Sequence, residues 1–259
     1  MDLDSIAAAL SVARAGRSYV EPPSGGRSTF SIEDGYAVGA IMHAHALRNG
    51  CKQAGLKLGF TNQAAWNALG LDRPFWSPIY EETVTDRNLL SLDPFLEPRI
   101  EPEIVVGFGS ALTHAASRED VVAAIAWASL GFEVVHCHYP NWEMTPADAI
   151  ADGGLHGALV VGERRRLGPS EAEDLAAVEV ELVRDDVVVA TGVGASALGG
   201  PVDAVTWLLR VPGAERVPAG SVITTGSLTT AFPIASGEVW RLRSRGPSRL
   251  GDLRLTFEP

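Results

Sequence analysis

The sequence predicts an α+β fold. Strand-like runs come at irregular spacing, a few helical stretches separate them, and no sustained β-α-β alternation is present. With 259 residues, 46% apolar and 20% charged, the composition is globular and suffices for a substantial core. No internal repeat or low-complexity tract divides the chain. It reads as one domain, 1–259, with an N-terminal helical segment (1–70) packed on a β-rich core (71–259).

Residues 3–15 carry apolar side chains at helical spacing and stop at Gly16. Residues 16–27, rich in Gly and Pro, read as a loop. A second helix is predicted over 32–49, with Ser31 as N-cap, Asp34 in its first turn and Gly50 closing it. Residues 56–61 form a short strand-like run, 62–69 a short helix, and 70–78 a loop rich in Pro and aromatics. From residue 99 the texture turns to β. Residues 99–108 read as a strand in which Pro102 implies an edge or a bulge. Residues 117–130 read as a helix capped by Ser117 with Asp120 in the box position, and 131–136 as the strand leaving it. A hairpin is predicted from 176–183 and 187–191, a helix from 201–209 with Pro201 in its first turn, and strands at 222–225, 238–243 and 253–257.

The formal charge of −11 argues against a phosphate backbone as partner. Two cysteines are too few for a disulfide framework. Asp2 and Asp4 follow Met1 where a secretory leader would be basic and then apolar. The longest uncharged apolar stretch, 121–132, is about half of the ~20 residues a membrane span needs. The chain is expected to be soluble and cytoplasmic.

Three features carry chemistry. Glu101 and Glu103 lie two apart on a strand and so share a face. Either that face is solvated, or a cation relieves the repulsion of the pair. Glu133 interrupts an apolar strand run; it points outward from an edge, or it completes a three-carboxylate set suited to a hard divalent ion. Lys57, among Leu56, Leu58 and Phe60, is either a snorkelling surface residue or a cation held at a site. His136 and His138 share a strand face without an evident third zinc ligand, since Cys137 faces away. Gly192-Val193-Gly194 lacks the further glycine or lysine of a nucleotide loop.

Taken in order, these residues resemble a family. The marks are Lys57-Leu58-Gly59-Phe60-Thr61, Glu101-Pro102-Glu103, Glu133, Ala151-Asp152 before a Gly-rich turn, residues 191–195 leading to Gly199-Gly200-Pro201, and Gly226-Ser227-Leu228-Thr229. The chain is similar, from about residue 32 to 257, to the hydratase/decarboxylase branch of the fumarylacetoacetate hydrolase superfamily, typified by 2-keto-4-pentenoate hydratase and 4-oxalocrotonate decarboxylase. The resemblance implies a mixed β-roll with peripheral helices, holding Mg²⁺ or Mn²⁺ on Glu101, Glu103 and Glu133. It implies a homo-oligomer acting on a small-molecule 2-oxo acid, while the net charge and the hydropathy are the grounds for expecting no nucleic-acid or membrane partner. Lys57 resembles the active-site lysine, and Ser227 and Thr229 the contacts to the pyruvoyl end. The metal would act as a Lewis acid on the 2-oxo group, whose enolate serves both reactions of the branch. The expected activity is hydration of a 2-hydroxy-2,4-dienoate to a 4-hydroxy-2-oxo acid. The alternatives are decarboxylation of a 2-oxo-3-enedioate and hydrolysis of an acylpyruvate C–C bond.

The sequence also departs from that pattern. Arg73-Pro74-Phe75-Trp76 stands where many family hydratases have an acidic loop residue, and Glu81 or Glu82 is left as a substitute carboxylate. His136-Cys137-His138 replaces Asp-Ser-Arg, and Leu155-His156 replaces a serine pair. Phe75 and Trp76 are therefore expected to form a dry wall favouring an apolar tail, with Arg73, His136 or His156 as the partners for a distal carboxylate. His136 and His156 are candidates for acid/base work. Asp152 is expected to orient Lys57 or the metal shell, or to cap the turn at Gly153-Gly154.

Overall fold

The computed structural model describes residues 2–25, 29–63, 66, 71–214, 216–246 and 249–259. Two helices open the chain, α1 (Leu3–Gly16) and α2 (Ile32–Arg48). Ser31 caps α2 through a reciprocal box with Asp34, as the sequence predicts. The short helix expected over 62–69 falls mostly outside the described residues, which include only 62, 63 and 66 of it. Strands β1 (Gln53–Gly59), β2 (Phe75–Tyr80), β3 (Val84–Thr85), β4 (Leu89–Leu90), β5 (Arg99–Phe108) and β6 (Leu112–Thr113) follow. After α3 (Arg118–Ala124) come β7 (Ile125–Val135), α4 (Pro146–Ala151), β8 (His156–Val161) and β9 (Arg165–Arg166). Then come α5 (Pro169–Glu173), the hairpin β10 (Glu179–Arg184) and β11 (Val187–Val193), and α6 (Pro201–Leu208). The chain closes with β12 (Arg216–Val217), β13 (Val222–Ser227), β14 (Phe232–Pro233), β15 (Val239–Arg245) and β16 (Asp252–Phe257).

The architecture is α+β. A mixed nine-stranded sheet runs β2-β1-β13-β5-β7-β8-β3, with β14 beside β5 and β9 beside β7. A second sheet of five strands runs β11-β10-β15-β16-β4, and β6 pairs with β12. The largest core joins both sheets: Ile104 and Leu130 from one, Leu182, Trp240 and Leu255 from the other, and Val121, Val205 and Leu208 from α3 and α6. A second core lies under α1 and α2, where Ala7, Leu10, Phe30 and Val38 meet Val135, Cys137 and Tyr139. No helix among the described residues is long and apolar enough to cross a membrane.

Three expectations are corrected, and a fourth, left between two alternatives, is decided. The N-terminal helical segment gives way to a sheet strand at Gln53, because β1 pairs with both β2 and β13 inside the large sheet. Residues 75–80 form a strand where the composition suggests a loop; Pro78 is accommodated because β2 is an edge strand. Helix α3 ends at Ala124, and 125–130 belong to β7, where an apolar run buried on both faces gives the same signal as a buried helix. Pro102 is in the sheet interior, so of edge and bulge only the second holds. Its carbonyl accepts from Leu228, and the β13 register shifts between Thr224 and Ser227, so its missing N–H faces a bulge.

Candidate metal centre and active site

Strand pairing assembles the carboxylates. Glu101 on β5 stands directly opposite Glu133 on β7, and Glu103 lies two residues further along the same face of β5. One oxygen from each of the three lies within 4.8 Å of the others, with Glu103 and Glu133 fully buried. Burial first, then mutual repulsion, raises Glu103 well above the usual carboxylate range; burial raises Glu101 to about 7. Glu133 goes the other way: burial opposes its charge, but Lys57 and His156 hold it below its ordinary value. Glu103 Oε2 accepts from the Gly226 N–H at 2.9 Å, whereas its buried Oε1 has no partner among the described residues. An orphaned buried carboxylate oxygen facing two further carboxylates is a donor set that fits a hard divalent cation.

Lys57 reaches this cluster from β1. Its Nζ lies 3.0 Å from Glu133 Oε2 and donates to the Gly154 carbonyl at 3.1 Å. The side chain is buried, which disfavours the ammonium, yet Glu133, Glu101 and Glu103 together hold its pKa above the usual value. Two glycines make these contacts possible. Gly226 has φ +109°, and a Cβ there would come within 2.1 Å of Thr61 Oγ1. Gly154 has φ +66°, and a Cβ would come within 2.8 Å of Ser77.

A cavity of about 640 Å³ opens beside the cluster. Lys57, Glu101, Phe75, Ser227 and Thr229 line it, so the structure brings these expected residues together. The Phe75 ring lies 5.6 Å from Lys57 Nζ and stands edge-on to Phe60 at 5.1 Å.

Other expected residues lie elsewhere. Trp76 alternates to the opposite face of β2 from Phe75, stacks 5.6 Å from Tyr36, and lines a separate cleft with Trp127 and Gly213. Arg73 is half exposed and pairs with its neighbour Asp72. Glu81 is exposed and lines the separate cleft, so it supplies no carboxylate to the cavity. His136 turns away from the cavity that Val135 lines and packs against Phe95 and His138, with ring centroids 5.5 and 4.5 Å away. Burial pushes its pKa down to about 2, so it is neutral and cannot pair with a carboxylate. Asp152 contacts neither Lys57 nor the cluster; its buried carboxylate binds Arg14 at 2.9 Å and His138 at 2.8 Å. His156 lies behind Glu133, with Nδ1 2.8 Å from Oε1 and Nε2 2.8 Å from Thr83 Oγ1. It does not line the cavity.

Three residues escape the sequence reading. Arg14 of α1 donates to the Asp152 carboxylate and to the His156 carbonyl. Thr83 backs His156. Both are joined to the site only by long-range packing. Arg99 lines the cavity with its guanidinium 4.0 Å over the Trp142 ring, and it was legible: two residues before Glu101, it shares the face of the carboxylates. Trp142 is presented by a loop in which Asn141 and Trp142 both adopt left-handed backbone, φ 58° and 61°.

Comparison with known proteins gives the chain relatives and a family. The chain is 31% identical over 231 residues to the TodF product hydratase of Pseudomonas putida (strain F1), covering 87% of this chain and 84% of that protein. It is 29% identical to 2-keto-4-pentenoate hydratase 2 of Dechloromonas aromatica, covering 98% of this chain and 97% of that one. The 4-oxalocrotonate decarboxylase of Pseudomonas putida G7, solved with magnesium and adipate, superposes with a TM-score of 0.90 at 26% identity, covering 98% of this chain and 97% of that one. Residues 72–258 match the fumarylacetoacetate (FAA) hydrolase C-terminal family, and the chain belongs to that family.

Proposed function

We propose that the chain is a divalent-cation-dependent lyase that adds water to a 2-hydroxy-2,4-dienoate, giving a 4-hydroxy-2-oxo acid. The observation that carries this reading is the convergence of Lys57 with Glu101, Glu103 and Glu133 at one end of a cavity that Ser227 and Thr229 also line. The relatives named as hydratases support it. Glu101, Glu103 and Glu133 would hold Mg²⁺ or Mn²⁺, which when bound supplies Lewis acidity toward the substrate's 2-oxo oxygen.

The chain's own residues bind, orient and move protons. Lys57, fixed by Glu133 and the Gly154 carbonyl, holds a proton at Nζ beside the cavity, where it serves ketonisation of the dienol before water adds across the distal double bond. The Ser227 and Thr229 hydroxyls line the same wall, donate to the Thr229 and Thr230 carbonyls, and would turn to donate to the carboxylate end of a bound substrate. Phe60, Phe75 and Leu155 close the Lys57 side with apolar surface, which lowers the local dielectric around the transferred proton.

Decarboxylation of a 2-oxo-3-enedioate is the second reading, and a specific observation favours it. Arg99 lines the cavity, makes no ion pair among the described residues, and can meet a distal carboxylate. The test is to incubate the protein and Mg²⁺ with a 2-hydroxy-2,4-dienoate and, separately, a 2-oxo-3-enedioate, resolving products by mass. Gain of one water by the dienoate is expected. Loss of CO₂ from the enedioate with no hydration would transfer the assignment to the second reading, and no turnover of either would overturn both.

A further inference from the structure

The three carboxylates of the cluster are not held alike. Glu103 has one oxygen on the Gly226 N–H and no hydrogen bond on the other, whereas Glu133 has the His156 imidazole on one oxygen and the Lys57 ammonium as a charge contact beside the other. Its Oε2 faces Lys57 and its Oε1 faces the His156 imidazole. That imidazole is itself fixed at both ends. Nε2 meets the Thr83 hydroxyl at 2.8 Å, and the His156 carbonyl accepts from Arg14. A carboxylate can only accept, so Nδ1–H donates to Glu133, while Nε2 lies 2.8 Å from the Thr83 hydroxyl, which also donates to the Tyr80 carbonyl at 2.9 Å. His156 is 3% exposed and lines no part of the cavity, so it does not reach a substrate there.

We infer that His156 is a positioning residue for the cation site. It locks the Glu133 carboxylate in the rotamer that faces Glu101 and Glu103, with Thr83 fixing the orientation of the ring from its other side. This rests on the reading of the carboxylate cluster as a divalent-cation site. A freely rotating Glu133 would leave two carboxylates to bind the ion and would add the cost of ordering the third. Groups that orient a metal ligand in this way typically change affinity by about 10–100-fold.

The test uses the full-length protein and Mg²⁺, with binding measured by calorimetric titration. His156→Leu removes the N–H. His156→Asn returns an amide N–H at nearly the Nδ1 position but cannot reach Thr83. Thr83→Val keeps the ring and removes its support. Mg²⁺ should bind His156→Leu about 10–100-fold more weakly than the unmodified chain, while KM at saturating Mg²⁺ stays within about threefold. His156→Asn should recover most of the affinity, and Thr83→Val should lose only a few-fold. Equal Mg²⁺ affinity in His156→Leu and the unmodified chain would overturn the inference, as would an equal loss in the Leu and Asn variants. If His156→Leu does not fold, by far-UV circular dichroism, the Asn and Val variants decide. An Asn variant that folds but loses binding overturns the inference, and one that keeps binding while Thr83→Val loses a few-fold supports it. Failure of the unmodified chain to bind Mg²⁺ would instead refute the cluster reading beneath it.

Discussion

At the scale of residues, the site is a charge balance. Three carboxylates share a buried pocket with one ammonium, so the cluster carries excess negative charge that protons or a cation must offset. Glu101 has its pKa raised to about 7 and Glu103 is raised well above the usual carboxylate range, so in metal-free protein both keep their protons to higher pH than an ordinary carboxyl. Raised carboxylate pKa values contribute stability that is present below the unfolded pKa and is lost as pH rises through the folded one. Metal-free protein should therefore lose Tm as pH climbs from about 5 to about 7.5, whereas saturating Mg²⁺ should flatten the profile and bind more weakly as pH falls across that window. Differential scanning calorimetry with and without EDTA checks this; a metal-free profile flat over that range would contradict it. Lys57→Met keeps the stem and deletes the charge. Loss of one partner of a buried pair predicts that metal-free protein is destabilised by about 3–5 kcal/mol. With Mg²⁺ it should fold, with turnover lowered about 10²–10⁴-fold. Near-normal turnover would return Lys57 to a structural role. Of these four residues, strand alternation placed Glu101 and Glu103 on one face, whereas spacing left Glu133 and Lys57 open and only the family resemblance assigned them to the site. Arg14 and Thr83 were not legible, since nothing near them in the chain announces the partners they meet.

At the scale of elements, the errors share one cause. Phe75 and Trp76 were expected to line one wall, which holds only if the segment is a loop; once it is β2, alternation sends Phe75 to the cavity and Trp76 to the other face. Arg73 fails with it. The boundary between α3 and β7 slipped because Val121 to Leu130 is apolar except for Ser129, and burial on both faces erases the periodicity that separates helix from strand. The β13 bulge shows what did survive. Pro102 announced an irregularity, and Gly226 supplies it, giving its N–H to Glu103 while lying against Thr61. Gly226→Ala places a Cβ 2.1 Å from Thr61 Oγ1 at a φ that L-residues resist. It should cost about 2–4 kcal/mol by urea denaturation and also weaken Mg²⁺ binding, because the moved N–H no longer steers Glu103. A variant with unchanged stability and affinity would show that the bulge tolerates a side chain and that Glu103 needs no such guide.

At the scale of the whole molecule, the family match starts at residue 72, yet the folding unit does not. Strand β1, residues 53–59, is hydrogen-bonded on both sides within the nine-stranded sheet, parallel to β13 and antiparallel to β2, and it carries Lys57. Helices α1 and α2 cover the second core, where Leu10 and Val38 are fully buried, and Arg14 fastens α1 to Asp152 and to His156 at the start of β8. A fragment spanning 72–259 therefore loses a sheet strand from between two neighbours, leaving unpaired backbone groups on both. It also loses the burial of Leu10, Phe30, Val38, Leu56 and Leu58. At about 1.5–3 kcal/mol for each large apolar side chain, that burial alone is comparable with the 5–15 kcal/mol by which a domain is stable. The fragment is expected to give no cooperative urea transition, a weak near-ultraviolet circular dichroism spectrum and no Mg²⁺ binding, although the three carboxylates are all present in it. A fragment that unfolds in a single sigmoidal step near the midpoint of the full chain would show that the first 71 residues are an accessory, and that β5, β7 and β13 assemble the site without β1.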